Sequence, residues 1–523
     1  MNVFFSAFPI VLLVWLMVRR RGMPSFQALP LAVAVLYIIR IFVFQADTIL
    51  LHAGVISGLL MAWTPILVIW GAVLLFQMLE ISGALKTIHE WLETLAEHRV
   101  EQVMLIAWAF SFFIEGVSGF GTPVALAAPL LVQFGFSPLR VVMLCLVMNS
   151  VPVSFGAVGT PTWFGLGALG LPSEEILRIG QNTALIHFFA GLIIPFLALR
   201  FLLSWEEIRK NWRFILLSIL SCTIPFLALS LWSTEFPALI GGAVGIVLTI
   251  FLARRNIGLA RDSVQPSTRV IDYKKLFRAF APLVLVIVLL VATRLEWIGL
   301  KSFFTSSASS WSVALGQVGT FSISPSLVLG LKNILGTGES WSHATLYVPS
   351  FVPFLAVTLF SFLIFSFSWK ERKKVFSKTW KRMKRPILAL SAALVFVKLL
   401  MVGDVSPAVV LGETLASISG KTWIFFSPLL GALGAFFSGS NTVSNLTFGA
   451  IQQTTAVSLS LPETVVLALQ NVGGAFGNMV SIQNIIAGSA VVGLINKTGT
   501  ILRHTIWPLL AYAVIAGVCG IFL

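Results

Sequence analysis

Ten predominantly apolar stretches of 16 residues or more run through this chain, at 3–18, 27–45, 55–79, 183–203, 214–232, 236–253, 278–293, 346–368, 386–402 and 505–523. About 20 such residues cross the hydrocarbon core of a bilayer as a helix. Lipid offers no partner to a backbone N–H or C=O, so a run of this length must close its hydrogen bonds within itself. Two further regions, 101–170 and 423–496, are also apolar but are interrupted by Gly, Pro, Ser, Thr and Asn. The expected fold is all-α, a polytopic membrane protein of roughly 12–14 helices. Composition agrees: only 11% of the 523 residues are charged, where a soluble domain carries about 25%.

The net charge of +15 could suggest nucleic acid as a partner, but its distribution argues against that. Basic residues gather in short runs between the spans, as they do on the cytoplasmic side of membrane proteins. These runs are Arg19–Arg21, Lys86–Arg99, Arg200–Arg213, Arg254–Arg278 and Lys370–Arg385. They put the N-terminus outside and make 254–277 a cytoplasmic linker. The first apolar run precedes its arginines, the reverse of a cleavable signal, and reads as a retained helix. Segment 81–99 reads as an amphipathic surface helix with Lys86, His89 and Glu93 on its polar side. Segment 295–345, rich in Ser, Gly and Thr, reads as an outer loop with short helices. Cys145, Cys222 and Cys519 lie in apolar stretches without a CxxC pattern, so neither a disulfide nor a metal site is expected. No cofactor is implied.

The two interrupted regions resemble each other. FIEGVSGFGTPVALAAPLL (113–131) is followed by PLRVVMLCLVMNSVPVSFGAVGTPTWFG (138–165), and GAFFSGSNTVSNLTFGAIQ (434–452) by PETVVLALQNVGGAFGNMVSIQN (462–484). In each, a Gly-rich polar break opens the unit and a proline follows, Pro138 or Pro462. An apolar run then leads to Asn149 or Asn471, and a second break holds Phe155-Gly156 or Phe476-Gly477. Gly-rich helices can simply pack closely. Two matched pairs of breaks with polar side chains point instead to the duplicated, discontinuous helices of secondary transporters, whose substrate sites lie at the interruptions. We expect one transport domain over 1–523, with two repeats, inverted in preference to parallel. The core of repeat one is 101–170, within about 55–253, and that of repeat two is 423–496, within about 346–523.

Half-helix N-termini expose unpaired N–H groups and a partial positive charge, which suit a small carboxylate. Glycine lets the backbone approach a ligand, while Ser, Thr and Asn add donors. The candidate substrate-binding residues are therefore Gly119, Gly121, Thr122, Asn149, Ser438, Ser440, Asn441, Thr442, Asn471 and Asn478.

These segments resemble the L-lactate permease family. FIEGVSGFGTPVALAAPLLVQFGF (113–136) and NSVPVSFGAVGTP (149–161) are similar to its N-terminal signatures. GALGAFFSGSNTVSNLTFGAIQQTTA (431–456) and NVGGAFGNMVSIQNIIAGSAVVGL (471–494) are similar to its C-terminal ones. The resemblance implies import of L-lactate, and often glycolate, coupled to protons in a prokaryotic cytoplasmic membrane. One departure is Asn441, where some members carry Asp; here a neutral amide must do that work.

Ionisable residues inside spans are costly and usually functional. Glu115, just before the first break, is the main candidate for carrying the proton, with a structural cap or ion pair as the other reading. Lys398 could neutralise substrate, pair with Asp404 or snorkel outward. His187 could relay a proton or simply pack. Asp47, His52, Asp404 and Glu413 read as solvated, and Arg503 and His504 as interface anchors. Alternating access by lactate–proton symport is the expected mechanism. A sodium-coupled carrier or a channel for another small organic anion is the alternative. A membrane enzyme is disfavoured, because the sequence has no HExxH, GxSxG or nucleotide loop. The expected partners are L-lactate or glycolate, protons and membrane lipid.

Overall fold

The computed structural model describes residues 2–18, 22–95, 98–119, 121–260, 272–294, 299–308, 310–348, 351–403, 405–494 and 497–523. Arg19–Arg21, residues 261–271 of the linker and Asp404 lie outside these, as do the side chains of His89 and Glu93.

Four helices come first: α1 (Asn2–Val18), α2 (Ser25–Phe42), α3 (Thr48–Met61) and α4 (Trp63–Ile81). Next are α5 (Ala84–Leu95), α6 (Arg99–Ser118), α7 (Thr122–Gln133) and α8 (Pro138–Met148). An irregular segment, Val153–Leu169, leads to α9 (Ser173–Leu199), α10 (Trp212–Ser230) and α11 (Pro237–Arg254). Beyond the linker lie α12 (Tyr273–Arg294), strands β1 (Trp311–Ala314), β2 (Thr320–Ile323), β3 (Val328–Lys332) and β4 (Trp341–Ala344), then α13 (Val352–Ile364), α14 (Trp369–Met401) and α15 (Pro407–Ser419). The chain closes with α16 (Trp423–Ser438), α17 (Asn441–Ser458), α18 (Glu463–Gly477), α19 (Ile482–Val491) and α20 (Thr498–Phe522). Among the described residues, nine helices are long and apolar enough to cross a membrane, or up to 11 if each of two bent pairs is one span. The protein is an all-α polytopic membrane protein with broken helices.

Contacts divide the chain into two compact units, Met1–Ala84 with Arg278–Ile418, and Leu85–Phe277 with Ser419–Leu523. In the first, the 33-residue α14 packs against α2, α3 and α4. Its start is fixed by a capping box: Ser368 Oγ accepts from the Glu371 N–H, and the Glu371 carboxylate accepts from the Ser368 N–H. The basic run Lys370–Arg385, expected between spans on the cytoplasmic side, is the first half of this helix. Lys and Arg are good helix formers, and Lys378 and Arg382 reach Glu80 at 3.4 and 3.7 Å.

Segment 295–345 also departs from expectation. Its described residues carry short helices, among them Leu300–Thr305 and single 3-10 turns at Gly316–Val318 and Ile334–Gly336, but form mainly a four-stranded antiparallel meander, β1-β2-β3-β4. Short runs such as FSI and VLGL pair readily once turns at Gly316–Val318 and Ser324–Leu327 fold them back. Leu331 and Ile334 bury themselves against Ala53 of α3. Helix α5 buries Ala84, Leu85, Ile88 and Leu92 and exposes Lys86 and Glu90, the amphipathic pattern expected of it.

The second unit holds both interrupted regions. A Cβ on Gly116 or Gly242 would strike the backbone of the facing helix, so these glycines let α6 and α11 touch. Gly431, Gly473 and Gly477 do the same for α16 and α18. The contacts between the two regions are reciprocal: α7 packs on α19 while α17 packs on Pro161–Leu166, and α8 packs on α20 while α18 packs on α9. Such exchange of partners is what a two-fold relation between duplicated halves produces.

Candidate functional site

The two breaks nearest the middle of the second unit are built alike. Helix α6 ends when the Gly119 N–H bonds the carbonyl of Glu115 at 3.0 Å, and α16 ends when the Gly439 N–H bonds that of Ala435 at 2.8 Å. Both glycines have positive φ, 58° and 70°, which ends a helix without strain only for glycine. A new helix starts within three residues in each case, α7 at Thr122 and α17 at Asn441. The second breaks bend Pro138–Met148 against Val153–Leu169 by 63°, and Glu463–Val480 against Ile482–Val491 by 43°. The first of these contains three successive left-handed residues, Ala157, Val158 and Gly159. Two of them carry side chains, a strained arrangement that recurs at functional sites.

A small cavity opens where the four breaks meet. Glu115, Gly119, Gly121 and Asn149 line it from repeat one, and Ser440, Asn441, Thr442 and Asn478 from repeat two. No Lys, Arg or His is among its lining residues. Glu115 is 3% exposed, and no described cation pairs with it. Its Oε2 accepts from Asn149 Nδ2 at 2.9 Å, and its Oε1 lies against Gly119 and Gly156, where only a missing Cβ leaves room.

The helix starts differ in what they leave free. At α7, the Thr122 N–H is already bonded to the Gly119 carbonyl at 3.1 Å, and Pro123 has no N–H. At α17, Ser440 Oγ accepts from the Val443 N–H at 3.3 Å, and the Asn441 and Thr442 N–H groups have no helix carbonyl to reach. The α17 start is thus the better anion receptor.

Thr122, Ser438 and Asn471 do not line the cavity. Ser438 Oγ bonds back to the Gly434 carbonyl at 2.6 Å and supports the break. Asn471 is the hub of the wall. Its backbone oxygen accepts from Ser154 Oγ and Asn441 Nδ2, and its Oδ1 from Asn441 and Asn445 at 3.0 and 2.9 Å. Its Nδ2 donates to Thr162 at 2.8 Å and Thr183 at 3.3 Å. Asn149 and Asn471, paired by sequence, occupy different places: Asn149 is the C-cap of α8, whereas Asn471 lies inside α18, whose C-cap is Asn478.

His187, fully buried, bonds the Tyr512 hydroxyl through Nδ1 and Ser154 Oγ through Nε2 at 2.8 Å. Ser154 gives its own proton to Asn471, so Nε2 is the ring's donor and Nδ1 its acceptor. Neither nitrogen is left for the cavity. Lys398 lies in the first unit and pairs with Glu339 at 2.9 Å, tying α14 to the turn before β4. Asn445 and Ser154 escape a sequence reading aimed at the breaks. Asn445 is one turn beyond Asn441 on the same helix face, a spacing that could have revealed it.

The sequence pattern of the L-lactate permease family matches residues 2–523. The chain belongs to the L-lactate permease family. A Haemophilus influenzae protein, provisionally named an L-lactate permease, is 46% identical over 519 residues, covering 99% of this chain and 98% of that one. The L-lactate permease of Bacillus subtilis is 29% identical, covering 95% and 91%. The glycolate permease of Escherichia coli is 28% identical, covering 92% and 88%. Membership makes this permease-family chain a multi-span transporter of a small molecule rather than an enzyme.

Proposed function

We propose that this permease imports L-lactate, together with glycolate and related short 2-hydroxy monocarboxylates, by proton symport with alternating access across a prokaryotic cytoplasmic membrane. One observation carries the reading: a carboxyl group without a cation shares a small cavity with a helix start whose N–H groups are free. Two negative charges in such a cavity repel strongly, because little water screens them. A proton on Glu115 removes the repulsion, so proton and anion are held best together. The carboxylate is received at the α17 start by the Asn441 and Thr442 N–H groups, with the Ser440 and Thr442 hydroxyls nearby. One proton with one monoanion moves no net charge, so the membrane potential neither drives nor opposes uptake. His187 and the Asn471 hub hold the wall, and Glu115 is the proton site. The names of the B. subtilis and E. coli relatives support lactate and glycolate as cargo.

The test is uptake of labelled L-lactate by purified protein in liposomes, in sodium-free buffer, with and without an inward proton gradient. Accumulation above equilibrium only with the gradient, inhibited by unlabelled glycolate, is expected. Accumulation that needs sodium and ignores the proton gradient would replace proton symport with a sodium-coupled carrier.

A further inference from the structure

The Asn149 amide holds an arrangement that the proposed transport cycle does not yet use. Its Nδ2 donates to Glu115 Oε2, while its Oδ1 is buried and receives no donor. Asn149 is 93% buried by residue and lines the cavity. An unpaired buried acceptor of this kind is destabilising and calls for an explanation.

The chemistry of the pair supplies one. An ionised carboxylate only accepts, so it holds the amide with Nδ2 toward Glu115. A protonated carboxyl carries one O–H donor. With the proton on Oε2, the oxygen on the same amide becomes the fitting partner, and half a turn about the Cβ–Cγ bond brings it round. That turn carries Nδ2 to the buried place Oδ1 had held, on a residue that lines the cavity. A group offering an unpaired acceptor, which repels an anion, becomes one offering two N–H donors.

We infer that Asn149 is a protonation-responsive substrate ligand, whose amide reverses when Glu115 takes up a proton and then donates to the carboxylate of the bound monoanion. This rests on the reading of Glu115 as the proton site, and it explains how a cavity lined by no Lys, Arg or His can couple one proton to one anion. The Gly119 and Gly156 positions against Oε1 leave the carboxyl little room to turn away from Asn149. The other cavity amides are committed elsewhere: Asn441 Nδ2 bonds Asn471 and its Oδ1 lies against Gly474, Asn484 Nδ2 donates to Asn478 Oδ1, and Asn478 Nδ2 donates to the Gly474 carbonyl.

The experiment is L-lactate binding to the purified full chain in lipid nanodiscs, from mildly acidic to mildly alkaline pH, with folding followed by tryptophan-monitored melting. Wild type binds more tightly as pH falls. Glu115→Gln binds at the acid-limb affinity at every pH, because the glutamine amide also donates to Asn149 Oδ1. Asn149→Leu loses the donor and weakens acid-limb binding by roughly tenfold or more. Asn149→Ser can pair with Glu115 in either state but has no second head to present, so it too binds weakly with a flattened pH profile. This second variant keeps the test open if the leucine variant misfolds. Folded Asn149 variants that keep wild-type affinity and pH dependence, beside a pH-independent Glu115→Gln, overturn the inference and leave the proton site standing. A Glu115→Gln that keeps the wild-type profile overturns the proton site itself.

Discussion

The opening breaks of the two repeats share a helix-ending glycine of positive φ and differ in chemistry. Glu115 and Ala435 hold equivalent places, each giving its carbonyl to the glycine that ends its helix. One place carries a carboxyl group; the other is a buried methyl. The helix starts differ in the opposite sense. The α7 start has spent its first N–H on Gly119 and has a proline next, whereas the α17 start leaves two N–H groups open. In the proposed cycle the two interrupted regions divide the labour, with repeat one handling the proton and repeat two the anion.

Substitutions on each side should separate these roles. The largest effect is expected at Gly156. Its Cβ in Gly156→Ala would enter the space of Glu115 Oε1 and force the carboxyl from Asn149. Overpacking of this kind costs about 1–3 kcal/mol. Proton-driven accumulation should collapse, while lactate exchange without a gradient persists. In repeat two, Asn441→Leu removes the donor to both oxygens of Asn471 and distorts the α17 start. Each oxygen keeps another donor, Ser154 or Asn445, so the loss is that of two hydrogen bonds, about 0.5–1.5 kcal/mol each, which should raise the KM for lactate and leave the pH at half-maximal uptake where it was. If instead Asn441→Leu shifts that pH and Gly156→Ala does not, the division between repeats is broken.

His187→Phe comes next. It removes bonds to Ser154 and Tyr512 at the wall, not in the cavity. Interhelical hydrogen bonds in membranes are worth about 0.6 kcal/mol each, so a modest fall in melting temperature with proton coupling retained is expected. The smallest effect is expected for Lys398→Met. It breaks an ion pair with Glu339 whose side chains are 20% and 26% exposed, in the unit that does not hold the cavity. Uptake rates within twofold of wild type, about 0.4 kcal/mol, would agree with its position in the other unit.

Sequence reading reached the spans and both breaks because continuous apolar runs and Gly-Ser-Thr interruptions are local signals. It missed features that depend on partners far along the chain. The strands of four or five residues between Trp311 and Ala344 are too short to show alternation, and only pairing reveals them. Lys370–Arg385 reads by charge as a run between spans, and its helical state is not legible from charge, since Lys and Arg disfavour lipid and not helices. Thr122 and Asn471 were legible as polar residues at the breaks; that one has its N–H spent and the other sits behind the wall follows from hydrogen bonds between segments. Matching Asn149 to Asn471 fails for a similar reason. Asn149 lies 11 residues after Pro138 and Asn471 only 9 after Pro462, while α18 is longer than α8 by more than one turn, so the first falls at a helix end and the second inside a helix.

The central claim is that Glu115 carries the proton that accompanies the anion. The most direct measurement compares Glu115→Gln with wild type in liposomes, following gradient-driven accumulation and lactate counterflow in the same preparation. The account predicts that the variant loses accumulation but keeps counterflow, because a neutral amide imitates the protonated carboxyl and cannot release a proton. A variant that still accumulates L-lactate with an inward proton gradient would contradict it.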